Sequence, residues 1–318
     1  MTLDDLDGYP TGGAAEWKAR YAPFVARQVW HREVEAPALS VVVVAWNSAA
    51  FVVDCLRALR AQEGFDDERL EVVLIDNGGL DGVREELARL VDVEVEMTCN
   101  VRPGPARNLG IALARAEIVA FIDDDGLVAS DFAVRLLSYF DDSTVMAVRG
   151  KVVWKEHRYF TTLAGHYDRG PVALADCLIT EGNAAVRREA LIEVGGFREN
   201  FFGHEGIDLT FRLQAAHPEA GILYVPDVVL HHDYIDTWSK FFRKNFRYAD
   251  VDDRVAGRDP ELARFMDAYF ATPFPPPART LGEHLALVGL KGVRTLLRVG
   301  ARLTSPIQRL MGKAGVAR

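Results

Sequence analysis

Residues 118–125 read Ile118-Val119-Ala120-Phe121-Ile122-Asp123-Asp124-Asp125. Five apolar residues run without a polar break and then stop at three acids. A continuous apolar run of that length reads as a strand buried on both faces. Working outward, Leu39-Ser40-Val41-Val42-Val43-Val44-Ala45 reads the same way, and so does 70–75. Val91, Val93, Val95 and Met97 alternate with acids and predict a further strand. Between these runs the period changes. Asn47 and Ser48 are N-cap types ahead of Val52, Leu56 and Leu59 at helical spacing. Helices are also expected over 83–90 and 106–116. Strands alternating with helices predict an α/β fold with a mixed, mostly parallel sheet flanked by helices. Ligands of such sheets bind outside the carboxyl ends of the strands. Trp46-Asn47, Asp76-Asn77-Gly78-Gly79 and Asp123-Asp124-Asp125 all follow strands, so they fall at that edge.

The second half is less regular. Strands are expected over 145–154 and 222–230, and helices over 187–194, 205–216 and 237–248. The proline-rich stretch 273–277 reads as a break, and 281–303 as a long amphipathic segment. In the polar lead-in, Trp17, Tyr21, Phe24, Val25 and Trp30 are expected to form a short helix packed on the body. The expected organisation is a lead-in over 1–37, an α/β domain over 38–250 and a helical extension over 251–318.

Of 318 residues, 49% are hydrophobic and 26% charged, which excludes whole-chain disorder. Lys and Arg number 37 against 46 Asp and Glu, for a net charge of −9. That balance argues against a nucleic-acid partner, which calls for a basic footprint. An anionic substrate would then need a local device such as a metal ion. Cys55, Cys99 and Cys177 are too few and too scattered for a disulfide or zinc framework, and they fit thiols in a reducing cytosol. The acidic start MTLDDLDGYP lacks the apolar stretch of a secretory signal. The longest apolar run, 38–46, is far short of the roughly 20 residues a spanning helix needs. A cytoplasmic protein is expected, with peripheral contact at the inner membrane face left open.

Three adjacent carboxylates at a strand end repel one another unless a cation offsets them. Mg²⁺ and Mn²⁺ take oxygen ligands and share them with substrate phosphates. A solvated acidic loop is the alternative.

Several pieces, in order, resemble family-2 glycosyltransferases of the GT-A fold. Val42-Val43-Val44-Ala45-Trp46-Asn47 resembles the family's opening strand. Val73-Leu74-Ile75-Asp76-Asn77-Gly78-Gly79-Leu80-Asp81-Gly82 resembles its Val-Asp-Asn-Gly-Ser-x-Asp-Gly. Gly104-Pro105-Ala106-Arg107-Asn108-Leu109-Gly110 resembles its Gly-x-Ala-x-Ala-Arg-Asn-x-Gly, and Asp123-Asp124-Asp125 sits at its Asp-x-Asp motif. Gly195-Gly196-Phe197 and Glu205-Gly206-Ile207-Asp208-Leu209 resemble its Gly-Gly-Phe and Glu-Asp-x-Asp-Leu. The likeness covers roughly 38–250. It implies a metal-dependent, inverting transfer of a sugar from a nucleotide-diphospho-sugar to an acceptor hydroxyl. Ala45, Trp46, Asn47, Asp76, Asn77, Arg107, Asp123 and Asp124 would line the nucleotide sugar. Asp125 and His232 (His231 being the alternative) would hold Mn²⁺ or Mg²⁺.

Each residue also has a plainer reading. Asp76 could be a turn former, Trp46 a core residue and Arg107 a structural partner of Asp123. Arg243, Lys244 and Arg247 could hold phosphate or form a solvated face. The base is the departure from the pattern: the family's Asp is Gly206 here. Glu205 and Asp208 remain as candidate catalytic carboxylates on one helix face, Glu205 being favoured and Asp208 also suited to bracing the helix. An inverting transfer needs one such group to take the acceptor's proton.

From 291 onward Lys291, Arg294, Arg298, Arg302, Arg309, Lys313 and Arg318 stand with no acid among them. With the leucines of 281–303 they suit either an anionic membrane surface or the chain's own acidic body. The donor is expected to be a UDP-, dTDP- or GDP-sugar. The acceptor is a glycan, a lipid-linked sugar or a small molecule, and homo-oligomers stay open. A sugar-1-phosphate nucleotidyltransferase and a non-catalytic nucleotide-sugar-binding subunit are the alternatives. The first would carry an N-terminal Gly-rich basic loop, which 41–48 lacks.

Overall fold

The computed structural model describes residues 2–161, 164–201 and 203–272, with scattered positions between 281 and 299. Its strands are β1 (Val25–Trp30), β2 (Leu39–Ala45), β3 (Leu70–Asp76), β4 (Val93–Met97), β5 (Ile118–Asp123), β6 (Leu127–Val128), β7 (Val145–Val153), β8 (Leu174–Ala175), β9 (Asn183–Arg187) and β10 (Gly221–His231). They form one sheet in the order β1-β4-β3-β2-β5-β9-β7-β10-β6, with β8 paired to β10. The block β4-β3-β2-β5 is parallel, as is β7-β10. β9 runs antiparallel to both β5 and β7 and joins the two blocks.

The continuous apolar runs become the middle of the sheet because helices cover both faces. Val41, Val43, Val72, Val73, Leu74 and Ile75 are fully buried. The Pro103–Leu113 helix starts three residues earlier than expected, with its proline in the first turn, where a missing N–H costs nothing.

The lead-in is more than a helix. Ala14–Tyr21 is helical and buries Trp17 and Tyr21, but Val25 and Trp30 lie in a strand antiparallel to β4. The acids of β4 explain this pairing. Glu94 accepts from Arg27 at 2.5 Å and from Arg84 at 2.9 Å, and it meets His31 at 2.9 Å. Alternation with acids therefore marks cross-strand ion pairs rather than a solvent face.

The chain divides into two compact units. The first runs to Val153 and resumes over His166–His232; it contains the sheet. The second comprises Trp154–Gly165 and the residues from Asp233 on. Within it, Phe160 packs edge-on against Trp238 at 5.1 Å, and Asp233 accepts from the backbone of Lys155, Glu156 and His157. Helices Trp238–Arg258 and Pro260–Ala271 belong to it, and so do Arg243, Lys244 and Arg247. The Lys244 ammonium lies 3.8 Å from the centre of the Tyr234 ring. The proline-rich break and the basic residues of the tail from Lys291 lie outside the described residues. Among the described residues no helix is long and apolar enough to cross a membrane.

Candidate active site

Register places the expected edge. Ala45 pairs with Asp76, and Val44 with Asp123, so β2, β3 and β5 end side by side. Asp123, Asp124 and Asp125 leave the last of these ends. The Asp123 carbonyl accepts the Gly126 N–H at 2.9 Å, turning the chain back into β6. β6 then runs antiparallel to β10, with Leu127 opposite His231. One step further along that ladder His232 comes to the acidic turn. Its Nε2 lies 3.1 Å from Asp125 Oδ1 and 4.0 Å from Asp123 Oδ2. On the other side of the ring, Nδ1 meets the Tyr167 hydroxyl at 3.2 Å. His231 is exposed, so His232 is the histidine of the pair that faces the acids.

The donor set of Asp125 and His232 fits Mn²⁺ or Mg²⁺. Carboxylate oxygen and imidazole nitrogen converge, and the second ring nitrogen is held by an outer partner, as in metal-ligating histidines generally. Among the described residues no group of three His, Cys, Asp or Glu side chains gathers for a metal. Such an ion would take its remaining ligands from phosphate and water, the usual habit of Mg²⁺.

Around this pair the other expected residues divide. Arg107 lies 3.6 Å from Asp123 and stacks over Phe197 at 5.3 Å. The motif that carries Arg107 has a structural reason as well. Asn108 accepts the Phe197 N–H at 2.7 Å and donates to its carbonyl at 2.8 Å, locking Gly-Gly-Phe to the Pro103–Leu113 helix. Asp124 accepts the Trp46 N–H at 3.1 Å, and burial, reinforced by its acidic neighbours, pushes its carboxyl up to about 6. Trp46 is 58% exposed, which removes the core reading.

Asp76 and Asn77 are buried and occupied. Asp76 accepts from the Gly78 N–H at 2.9 Å and from Arg84 at 3.1 Å, the turn-forming arrangement. Asn77 donates to Asn100 and accepts from the Val101 N–H. Ala45 is buried and accepts the Asn77 N–H at 2.8 Å, while Asn47 takes φ 53° against Gly78.

The two candidate carboxylates part company. Asp208 is fully buried and braced: Tyr9 donates to it at 2.9 Å, Arg198 lies at 3.2 Å and Arg212 at 2.8 Å. That is the helix-bracing alternative in place. Glu205 opens the Glu205–Ala216 helix with neither arginine on it.

Two residues of this region escaped the sequence reading. Tyr167 lies in an irregular stretch with no periodic signal. Glu181 sits in Thr180-Glu181-Gly182, just before the short β9, and accepts the Gly206 N–H at 2.5 Å. Burial, followed by the charge of Glu205, raises its carboxyl above the usual range, with Arg107 opposing. Gly182 is forced by the site, since a Cβ there would lie 2.0 Å from the Asp123 carboxyl.

A mixed sheet with carboxylates at the ends of β3 and β5 defines the class: a GT-A nucleotide-sugar transferase fold. Residues 40–197 match the sequence model of Glycosyl transferase family 2. Over that stretch, just under half of its length, the chain is similar to that family. It is 26% identical over 245 residues to a pre-mycofactocin glycosyltransferase of Mycobacterium tuberculosis, covering 73% of this chain and 49% of the relative. It is 30% identical over 119 residues to the putative glycosyltransferase EpsH of Bacillus subtilis, covering 36% of this chain and 34% of that one. The chain thus spans a third to a half of these curated relatives. A mannosyltransferase from Pyrobaculum calidifontis, solved with GDP-Man and Mn²⁺, shares the fold with a TM-score of 0.58 at 20% identity, over 92% of each chain.

Proposed function

We propose that the chain transfers a sugar from a nucleotide-diphospho-sugar to an acceptor hydroxyl, with inversion at the anomeric carbon. The observation that carries this reading is the meeting of Asp125 and His232 at 3.1 Å beside the ends of β2, β3 and β5. The family match and the curated glycosyltransferase relatives support it. The Mn²⁺ and GDP-Man of the structural neighbour support the choice of ligands. Asp125 and His232 would hold Mn²⁺ or Mg²⁺, which when bound offsets charge on the departing diphosphate.

The chain's own residues do the rest. Arg107 faces the phosphate side and keeps Asp123 in place. Trp46 offers an exposed ring to the base, and the loop ends at Asn47 and Asp76 shape the nucleoside's seat. Glu205 takes the acceptor's proton, a contribution of typically about 10²–10⁴ in rate. Asp208 braces the helix that presents Glu205.

The test is sugar release from UDP-, dTDP- and GDP-sugars with Mn²⁺, with and without acceptors, and product stereochemistry by NMR. Retention of configuration overturns the direct displacement. Nucleotide binding without any turnover would favour the non-catalytic subunit, for which Gly206 is the argument.

A further inference from the structure

Position 206 is where the family pattern has a carboxylate and this chain has none. The Glu205–Ala216 helix meets the segment before β9 very closely there. A Cβ on Gly206 would fall 1.4 Å from the Leu178 carbonyl oxygen and 2.9 Å from Glu181 Oε1. Glu181 thus reaches, from a different segment, into the space beside residue 206, and the Gly206 N–H fixes it at 2.5 Å. Glu205 is 6% exposed and has no salt-bridge partner among the described residues. Arg107 on the Pro103–Leu113 helix is the cation that faces this group, and Asp123 shares it at 3.6 Å.

Resting on the transfer reading above, we propose that Glu181 is a further catalytic residue: with Glu205 it receives the acceptor hydroxyl, in the place Gly206 leaves without a side chain. In the transfer the acceptor O–H bond breaks and its proton goes to Glu205, beside which Glu181 orients the hydroxyl. The oxygen's electron pair forms the new bond to the anomeric carbon. The bond from that carbon to the diphosphate oxygen breaks, and its electrons leave on the nucleoside diphosphate.

Glu181→Gln, Glu181→Asp and Glu205→Gln in the full chain test this. Gln still offers an oxygen to the Gly206 N–H, so the fold is kept. Two readouts are compared with wild type: sugar release with Mn²⁺ and calorimetric binding of the nucleoside diphosphate. Glu181→Gln is expected to lower turnover by about 10² or more with nucleotide binding unchanged. Glu181→Asp recovers part of the loss. Wild-type turnover in Glu181→Gln overturns the pair and leaves the transfer reading standing. Lost nucleotide binding in that variant also overturns it, by making Glu181 a prop of the donor side. A wild-type chain that binds nucleotide but cleaves no donor overturns the transfer reading.

Discussion

The His232 imidazole stands 3.1 Å from the Asp125 carboxylate because β10 pairs antiparallel with the two-residue strand β6. The acidic turn and the histidine are therefore set by one short ladder, and Tyr167 fixes the ring from behind at 3.2 Å.

Asp125→Ala and His232→Ala should each abolish the Mn²⁺-dependent part of nucleoside diphosphate binding. Tyr167→Phe, which touches only the far nitrogen, should weaken it by about 10–100-fold. Calorimetry with Mn²⁺ and with EDTA checks all three. Unchanged Mn²⁺-dependent affinity in Asp125→Ala would sink the metal assignment.

Glu205→Gln should lower turnover by about 10²–10⁴ while nucleotide binding stays near wild type. Asp208→Asn should show the opposite pattern. It breaks a buried group held by Arg198, Arg212 and Tyr9, so stability should fall by about 3 kcal/mol in denaturant titration. A stable but inactive Asp208→Asn would exchange the two roles.

Gly206→Asp restores the family's residue and should nevertheless harm the protein. Its Cβ would overlap the Leu178 carbonyl oxygen at 1.4 Å, and forced overpacking of this kind costs about 1–3 kcal/mol or more. A lower melting temperature with no gain in turnover is the expected result. A folded and faster variant would show that the Leu178 segment yields.

Tyr9 predicts the alkaline limb of stability. Burial, followed by the charge of Asp208, pushes its hydroxyl up to about 12 from an ordinary 10.0. The folded chain keeps this proton after the unfolded chain has lost it. Its contribution is complete below pH 10 and is lost as pH rises toward 12. Tyr9→Phe should flatten the fall of stability with pH across that window, measured by denaturant midpoints. An unchanged slope would dissociate Tyr9 from Asp208.

Legibility in the sequence followed the range of the interactions. β2, β3 and β5 were readable because strands buried on both faces show as near-continuous apolar runs, and the acids after β5 advertise themselves. β6 and β9 are two and five residues long and exist through their neighbours, so no local period marks them. The choice between Glu205 and Asp208 was likewise hidden. Asp208 is defined by Tyr9 and Arg198, and neither contact has a local signature. Asp76 illustrates the reverse: its plain turn-forming reading from Asp-Asn-Gly is the arrangement the structure shows.

The strand Val25–Trp30 is the outer neighbour of β4, and the helix before it carries Trp17 and Tyr21 into the core. A shortened chain begun at Leu39, the first residue of β2, would leave the N–H and C=O groups along the outer side of Val93–Met97 without a partner strand. It would also uncover the apolar surface on which Trp17 and Tyr21 rest. Open edges of that kind recruit other strands, so such a chain would stick to its own copies before any question of catalysis arose. Residues that touch neither sugar nor nucleotide thus act as the molecule's safeguard against aggregation.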